Sequence, residues 1–163
     1  MSTTDDLVAN AARYEAAFTQ NDLTAAPSRH LSVVACMDAR LDLFALLGLD
    51  IGDAHIIRNA GGIVTDDVVR SLLISQRKLG TTDVVVIQHT QCGLLELDAE
   101  ELAAELESET GRRPTFELGS FDDIDASVKG SVEHLREERF LLHRGSVRGF
   151  VYEVETGRLR EVE

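Results

Sequence analysis

The 163-residue chain has no tryptophan, two prolines and two cysteines, and only two of its sixteen basic residues are lysine. A single pair of cysteines excludes the disulfide framework of a small secreted domain and points to metal or redox chemistry. The apolar runs are too short to cross a bilayer. The acidic N-terminal segment 1–6 lacks the basic and then apolar regions of a secretory signal. We therefore expect a soluble, cytoplasmic protein.

Positive charge is also scarce, because the formal net charge is −13 and the sequence pI is about 4.7. This balance argues against nucleic acids and anionic membranes as partners. A lysine-poor, acidic surface fits either adaptation to high salt or ordinary solubility in an organism that favours arginine, and the second explanation is the simpler one. Apolar residues make up 44% of the chain, which predicts a folded core rather than disorder.

The hydrophobic pattern alternates between short apolar runs and amphipathic segments. The runs 31–36, 54–58 and 84–87 have the form of buried strands, and 147–154 with 158–162 predicts a closing hairpin. Amphipathic helices are predicted at 5–18, from Thr65 to Gly80, at 98–109 and at 122–139. This alternation predicts a single α/β domain over 1–163, with a mostly parallel sheet covered by helices on both faces.

Three potential metal ligands follow two of the predicted strands. Cys36 ends the first strand, and His89 and Cys92 come just after the strand at 84–87. The carboxyl ends of parallel strands lie at one edge of a sheet, so these side chains can converge. Two thiolates and one imidazole suit zinc, and three protein ligands leave a fourth position open for a water, as in catalytic sites. A lone buried Cys or His is usually structural, and we interpret the other four histidines in that way.

Asp38 and Arg40 alternate with Cys36 along the chain. If the backbone remains extended here, all three side chains point to the same side. Asp38 would then accept a hydrogen bond from a metal-bound water or occupy the open position itself, and Arg40 would hold the carboxylate. The alternative is a salt bridge at the end of a strand, which the neighbouring ligand makes the weaker interpretation.

The segment Arg58-Asn59-Ala60-Gly61-Gly62 follows the second predicted strand. Its two glycines allow a close approach of the backbone to a ligand, with amides available for an anion. A plain tight turn explains the glycines nearly as well, so the segment decides little alone.

Together these motifs resemble the β-class carbonic anhydrases. The resemblance consists of Cys36-x-Asp38-x-Arg40, His89-x-x-Cys92-Gly93 and the segment Arg58-Asn59-Ala60-Gly61 between them, and it runs from roughly Leu31 to Gly93. It implies reversible, zinc-dependent hydration of carbon dioxide to bicarbonate and a proton. Cys36, His89 and Cys92 would bind Zn²⁺, while Asp38 and Arg40 would form a catalytic dyad.

The resemblance also implies a homodimer or a higher homo-oligomer, with residues 1–24 as a helical arm that packs on a partner subunit. One departure is Pro27, which stands where many members carry a substrate-contacting Gln. Two alternatives remain at this point. One is a hydrolase of carbonyl sulfide or carbon disulfide on the same scaffold, and the other is a non-catalytic zinc-binding or thiol-redox module.

Overall fold

A five-stranded sheet forms the centre of the computed structural model, which describes residues 2–163; Met1, the first residue of the predicted arm, lies outside it. The strands are β1 (Leu31–Cys36), β2 (Ala54–Asn59), β3 (Asp83–His89), β4 (Val147–Glu153) and β5 (Arg158–Val162). Their spatial order is β2-β1-β3-β4-β5. The first four are parallel and β5 is antiparallel to β4, which confirms the predicted α/β fold and its hairpin.

The described chain also contains five α-helices. They are α1 (Thr3–Ala17), α2 (Leu43–Leu47), α3 (Asp66–Leu79), α4 (Ala99–Thr110) and α5 (Ile124–Glu137). Four were predicted, and their ends differ from the prediction by one or two residues. The fifth, α2, was missed because five residues are too few to show helical periodicity. Gly80 ends α3 in the left-handed conformation, as its position after the last apolar residue predicts.

The two faces of the sheet are covered differently. Side chains of β1, β3 and β4 alternate between them, so Val34 and Val86 join a core with α3 and α5, while Val33 and Ile87 face the other side. That second side packs against Leu43 of α2 and against loop residues. Helices therefore contact both faces, as expected, but unequally, because α3 and α5 share one face and the short α2 packs on the other. Several apolar side chains of the second face remain half-buried.

Helix α1 buries none of its residues against the rest of the described chain. A capping box formed by Ser2 and Asp5 stabilises its N-terminus. Leu7 and Tyr14 of this helix and Phe18, its C-cap residue, are 62%, 56% and 47% exposed. Among the described residues, none of these helices has both the length and the apolar character that crossing a membrane requires.

Candidate metal centre

The three predicted ligands meet at the carboxyl edge of the sheet. β1 and β3 are parallel neighbours, and their register pairs Ala35 with Ile87, so Cys36 and His89 follow at the same level. Cys92 returns to this edge after a short turn. The ligand atoms of Cys36, His89 and Cys92 all lie within 4.8 Å of one another, and all three residues are buried. The structure thus brings the three side chains together, as the strand pattern predicts.

The spacing of these atoms fits a tetrahedral metal ion. Tetrahedral zinc with Zn–S bonds of about 2.3 Å holds two sulfurs about 3.8 Å apart, and the sulfurs of Cys36 and Cys92 are 4.0 Å apart. His89 donates from Nδ1 to the Thr90 carbonyl at 2.8 Å, which leaves the Nε2 lone pair free to bind a metal. Nε2 is buried and has no hydrogen-bond partner within the described residues. A metal ion would satisfy this otherwise unpaired atom.

The two thiols differ in how readily they ionise. Burial opposes ionisation of Cys36, but the adjacent His89 imidazole and backbone groups of Asp38 and Gly61 outweigh it and lower the thiol pKa to about 7. Burial raises the pKa of the Cys92 thiol, and the nearby Cys36 raises it further. Ionisation of both thiols together is therefore unfavourable without a nearby positive charge, which a bound divalent metal would supply.

Asp38 and Arg40 form a bidentate ion pair beside the three ligands. Arg40 Nε donates to Asp38 Oδ1 at 2.9 Å, and Arg40 Nη2 donates to Oδ2 at 2.8 Å. This pairing holds the pKa of the Asp38 carboxyl well below its usual range. Asp38 Oδ2 lies 3.7 Å from His89 Nε2, so the carboxylate stands next to the position that a metal would occupy.

The backbone between these two residues is not extended, contrary to the expectation. β1 ends at Cys36, and the chain then turns, with the Leu41 amide donating to the Asp38 carbonyl at 3.1 Å. The Arg40 amide also donates to Asp38 Oδ1 at 2.9 Å. A turn therefore brings Asp38 and Arg40 together, because the Asp side chain caps its own backbone two residues later.

The segment after β2 supports the backbone that carries Cys36. Arg58 donates from Nε to the Cys36 carbonyl at 2.9 Å and from Nη2 to the Asp38 carbonyl at 2.6 Å. Asn59 exchanges two hydrogen bonds with the backbone of Ile63. At Gly62, a Cβ atom would lie 2.7 Å from the Cys36 nitrogen. The close backbone approach expected of these glycines is therefore directed at the ligand-bearing strand.

Two residues with contacts around this site were not singled out from the sequence. Gln91 accepts hydrogen bonds from Arg40 through its backbone carbonyl at 3.0 Å and its side-chain oxygen at 3.3 Å. Glu155, in the turn between β4 and β5, accepts hydrogen bonds from Thr90 and Gln91. The only indication of Gln91 in the sequence is its place between the predicted ligands His89 and Cys92. Nothing in the sequence connects Glu155 to this loop.

A second polar cluster lies at the opposite edge of the sheet. The Ser75 hydroxyl contacts His55 Nδ1 at 2.7 Å, Ser32 Oγ at 2.8 Å and Thr81 Oγ1 at 2.7 Å. His55 Nε2 donates to the Ala25 carbonyl at 3.0 Å, so both ring nitrogens are satisfied. The contacts give His55 a structural position far from the three ligands.

Comparison with known proteins places this arrangement in a family. The sequence model described as carbonic anhydrase matches residues 31–112, which contain all three ligands. Beta-carbonic anhydrase 1 of Mycobacterium tuberculosis is 45% identical over 162 residues, covering 99% of each chain. The crystal structure of carbonic anhydrase from Streptococcus mutans superposes with a TM-score of 0.91 at 39% identity, covering 100% of this chain and 99% of that one.

A carbon disulfide hydrolase of Acidithiobacillus thiooxidans is a more distant relative, 35% identical over 153 residues that cover 82% of this chain and 77% of that protein. The higher identity, 45% over nearly the whole chain, is therefore with enzymes called β-carbonic anhydrases. The chain belongs to the β-carbonic anhydrase family.

Proposed function

We propose that this protein is a zinc enzyme that catalyses the reversible hydration of carbon dioxide to bicarbonate and a proton. The observation that carries the proposal is the convergence of Cys36, His89 and Cys92 beside the Asp38–Arg40 pair. Three buried protein ligands leave one position of a tetrahedral metal for water. A purely structural site would be closed by a fourth ligand and would have no use for an adjacent, oriented carboxylate.

The residues have distinct roles in this proposal. Cys36, His89 and Cys92 would hold Zn²⁺, which when bound would supply a Lewis acid that lowers the pKa of a water molecule. Asp38, kept ionised by Arg40, would accept a hydrogen bond from the attacking water and orient it toward carbon dioxide. Arg40 positions the carboxylate through its two side-chain hydrogen bonds. Two thiolates would cancel the formal charge of zinc, so the metal would lower the pKa of the water less than a site with three neutral ligands does. Activity should therefore rise from neutral into mildly alkaline pH.

Hydrolysis of carbon disulfide or carbonyl sulfide is the second candidate, because carbon disulfide hydrolases are among the relatives. The same ligands would serve this reaction, so geometry at the metal does not separate the two substrates. The higher identity to β-carbonic anhydrases, 45% against 35% for a carbon disulfide hydrolase, favours carbon dioxide. A thiol-redox module is disfavoured by His89 Nε2, which is buried beside the thiols with no hydrogen-bond partner in residues 2–163. A metal ion would satisfy this nitrogen, whereas a disulfide between the two cysteines would leave it unpaired.

The direct test is stopped-flow hydration of carbon dioxide with purified protein whose metal content has been measured. We expect about one zinc per chain and rapid hydration. Carbon disulfide and carbonyl sulfide are assayed in parallel, and preference for either would favour the second candidate. Cys92→Ala should lose both zinc and activity, whereas His55→Ala serves as a control away from the ligands. Full zinc occupancy in Cys92→Ala would contradict the proposed ligand set.

For assembly, we propose a homodimer or a larger homo-oligomer in which α1 of one subunit packs on another copy of the chain. A 15-residue helix is marginally stable in water without packing, and its apolar face is exposed here. The half-buried side chains on the second face of the sheet, such as Ile56, Val85 and Phe150, offer a complementary apolar surface. A cytoplasmic location remains a prediction that cell fractionation can test.

A further inference from the structure

The loop that joins His89 to Cys92 is attached to the C-terminal hairpin. The register of β3 and β4 pairs His89 with Tyr152, so Thr90 and Gln91 come beside the turn that follows β4. Thr90 Oγ1 donates to Glu155 Oε2 at 2.8 Å, and Gln91 Nε2 donates to Glu155 Oε1 at 2.5 Å. Glu155 therefore uses both carboxylate oxygens to hold this one loop.

Gln91 also accepts two hydrogen bonds from Arg40. Its side-chain oxygen accepts from Arg40 Nη1 at 3.3 Å, and its backbone carbonyl accepts from Nη2 at 3.0 Å. Gln91 also has a φ of 53°, a left-handed conformation that is uncommon for a residue other than glycine. That conformation directs the carbonyl and the side chain toward the same guanidinium.

The chemistry of the three groups fixes the direction of every hydrogen bond. Arg40 can only donate, and an ionised Glu155 can only accept. The hydroxyl of Thr90 and the amide of Gln91 help to hold the pKa of the Glu155 carboxyl below its usual value, which keeps it ionised. An amide at position 91 satisfies both neighbours, whereas a carboxylate there would repel Glu155 and a cation would repel Arg40.

We propose that Glu155 is a positioning residue that acts through Gln91 to hold Arg40 against Asp38. Arg40 donates on one side to Gln91 and on the other to Asp38, so its guanidinium is fixed between them. Without this support Asp38 is freer to rotate onto the metal, since its Oδ2 is 3.7 Å from His89 Nε2. Glu155 thereby keeps the fourth metal position open. The inference rests on the zinc site of the proposed function.

The test measures zinc affinity and carbon dioxide hydration together in Glu155→Ala and Glu155→Gln. If Asp38 becomes a fourth ligand, zinc affinity, measured by chelator competition, should rise while turnover falls, each by roughly three- to tenfold. Glu155→Gln keeps one acceptor oxygen and should give a smaller change in the same directions. Glu161→Gln is the control, because Glu161 lies on the same hairpin but pairs with Arg148. General damage to the fold would instead lower both quantities and overturn the proposal.

A double-mutant comparison separates this inference from the proposed function. In an Asp38→Ala background, Glu155→Ala should leave zinc affinity within about twofold, because the group through which it acts is gone. An equal gain in affinity with and without Asp38 would overturn the inference. Zinc binding without carbon dioxide hydration in the wild-type protein would contradict the proposed function alone, since the affinity comparison still decides the role of Glu155.

Discussion

At the scale of single residues, Arg40 is the side chain on which most of the proposed site converges. It binds the Asp38 carboxylate with two nitrogens and the Gln91 loop with two more contacts. A lysine could not replace it, because one ammonium group cannot hold a carboxylate in a bidentate manner and also span to a second acceptor. The planar guanidinium therefore links the turn that follows β1, which contains Asp38, to the loop between His89 and Cys92.

Removal of either member of the pair should give different results. Asp38→Ala should keep zinc bound but lower turnover at least about a hundredfold, because the water loses its acceptor. Arg40→Ala should lower turnover roughly tenfold, because it releases the carboxylate. Stopped-flow hydration and metal analysis measure both effects, with Arg148→Ala as a control for loss of a surface arginine pair.

The pH profile adds a second check on Arg40. Its hydrogen bonds are the main cause of the lowered pKa of Asp38. In Arg40→Ala this carboxyl is no longer held by the guanidinium and competes for the open metal position as pH falls, so the rise of activity should shift to higher pH than in the wild-type protein. Near-native rates in both variants across the pH range would exclude the dyad even if zinc remains bound.

At the scale of secondary structure, the sequence predicts the position of a site residue best where that residue directly follows an apolar strand. The apolar runs before Cys36 and His89 predict β1 and β3, and parallel pairing of these strands is enough to place both ligands at one edge. The turn at Asp38 was not predictable from alternation, because a side-chain hydrogen bond to its own backbone overrides the extended pattern. The contact of Glu155 with Gln91 depends on the β3–β4 register, which joins residues 64 positions apart.

Two glycines with nearly the same positive φ allow the packing around Cys36 to be tested. Gly62 and Gly48 have φ values of 62° and 60°, but a Cβ at Gly62 would meet the Cys36 nitrogen at 2.7 Å and the Ile87 oxygen at 2.8 Å, whereas nothing lies within 4 Å of one at Gly48. Gly48→Ala should therefore cost only about 1 kcal/mol for the left-handed conformation.

Gly62→Ala should lower the free energy of unfolding by at least about 2 kcal/mol more, since backbone atoms must move. It should also reduce zinc occupancy, because the displaced atom belongs to Cys36. Urea denaturation and metal analysis of the two variants provide the comparison. Equal loss of stability in both would show that the close approach at Gly62 is unimportant.

At the scale of the whole molecule, acid should destabilise the fold through carboxylates that are hydrogen-bonded in the native state. The hydroxyl of Ser146, and then that of Thr82, lower the pKa of Asp83, which begins β3. A group with a lowered folded pKa contributes stability above its unfolded pKa of about 3.9, and this contribution is lost as pH falls further.

Asp83→Asn should therefore flatten the decline of stability below about pH 5, relative to the wild-type protein. Thermal unfolding from pH 6 to pH 3 measures the slope. Any loss of the proposed zinc at low pH should affect both proteins equally, so the difference between them isolates Asp83. Asp22→Asn, in the exposed connector after α1, is the control. Parallel curves for the wild type and Asp83→Asn would contradict the assignment.

The exposed face of α1 makes oligomeric state the other property of the whole molecule to test. Leu7, Ala11, Tyr14 and Phe18 lie on one side of this helix, and the rings of Tyr14 and Phe18 are 5.7 Å apart. Placing two glutamates on that side, with Leu7→Glu and Tyr14→Glu, should prevent its burial against a partner. Light scattering at micromolar concentration should then give a mass near 17.9 kDa, that of one chain, while the wild type gives a multiple of it.

The matched control places the same charges on the opposite side of the helix, with Ala9→Glu and Ala16→Glu. Glutamate is a good helix former, so both pairs should keep the helix while they alter opposite faces of it, and circular dichroism of each variant checks this. The control should retain the wild-type mass. If both pairs retain it, the apolar side of α1 is not the contact surface. If the wild type is already a monomer with full activity, the active site is complete within one chain and the exposed apolar face needs another explanation.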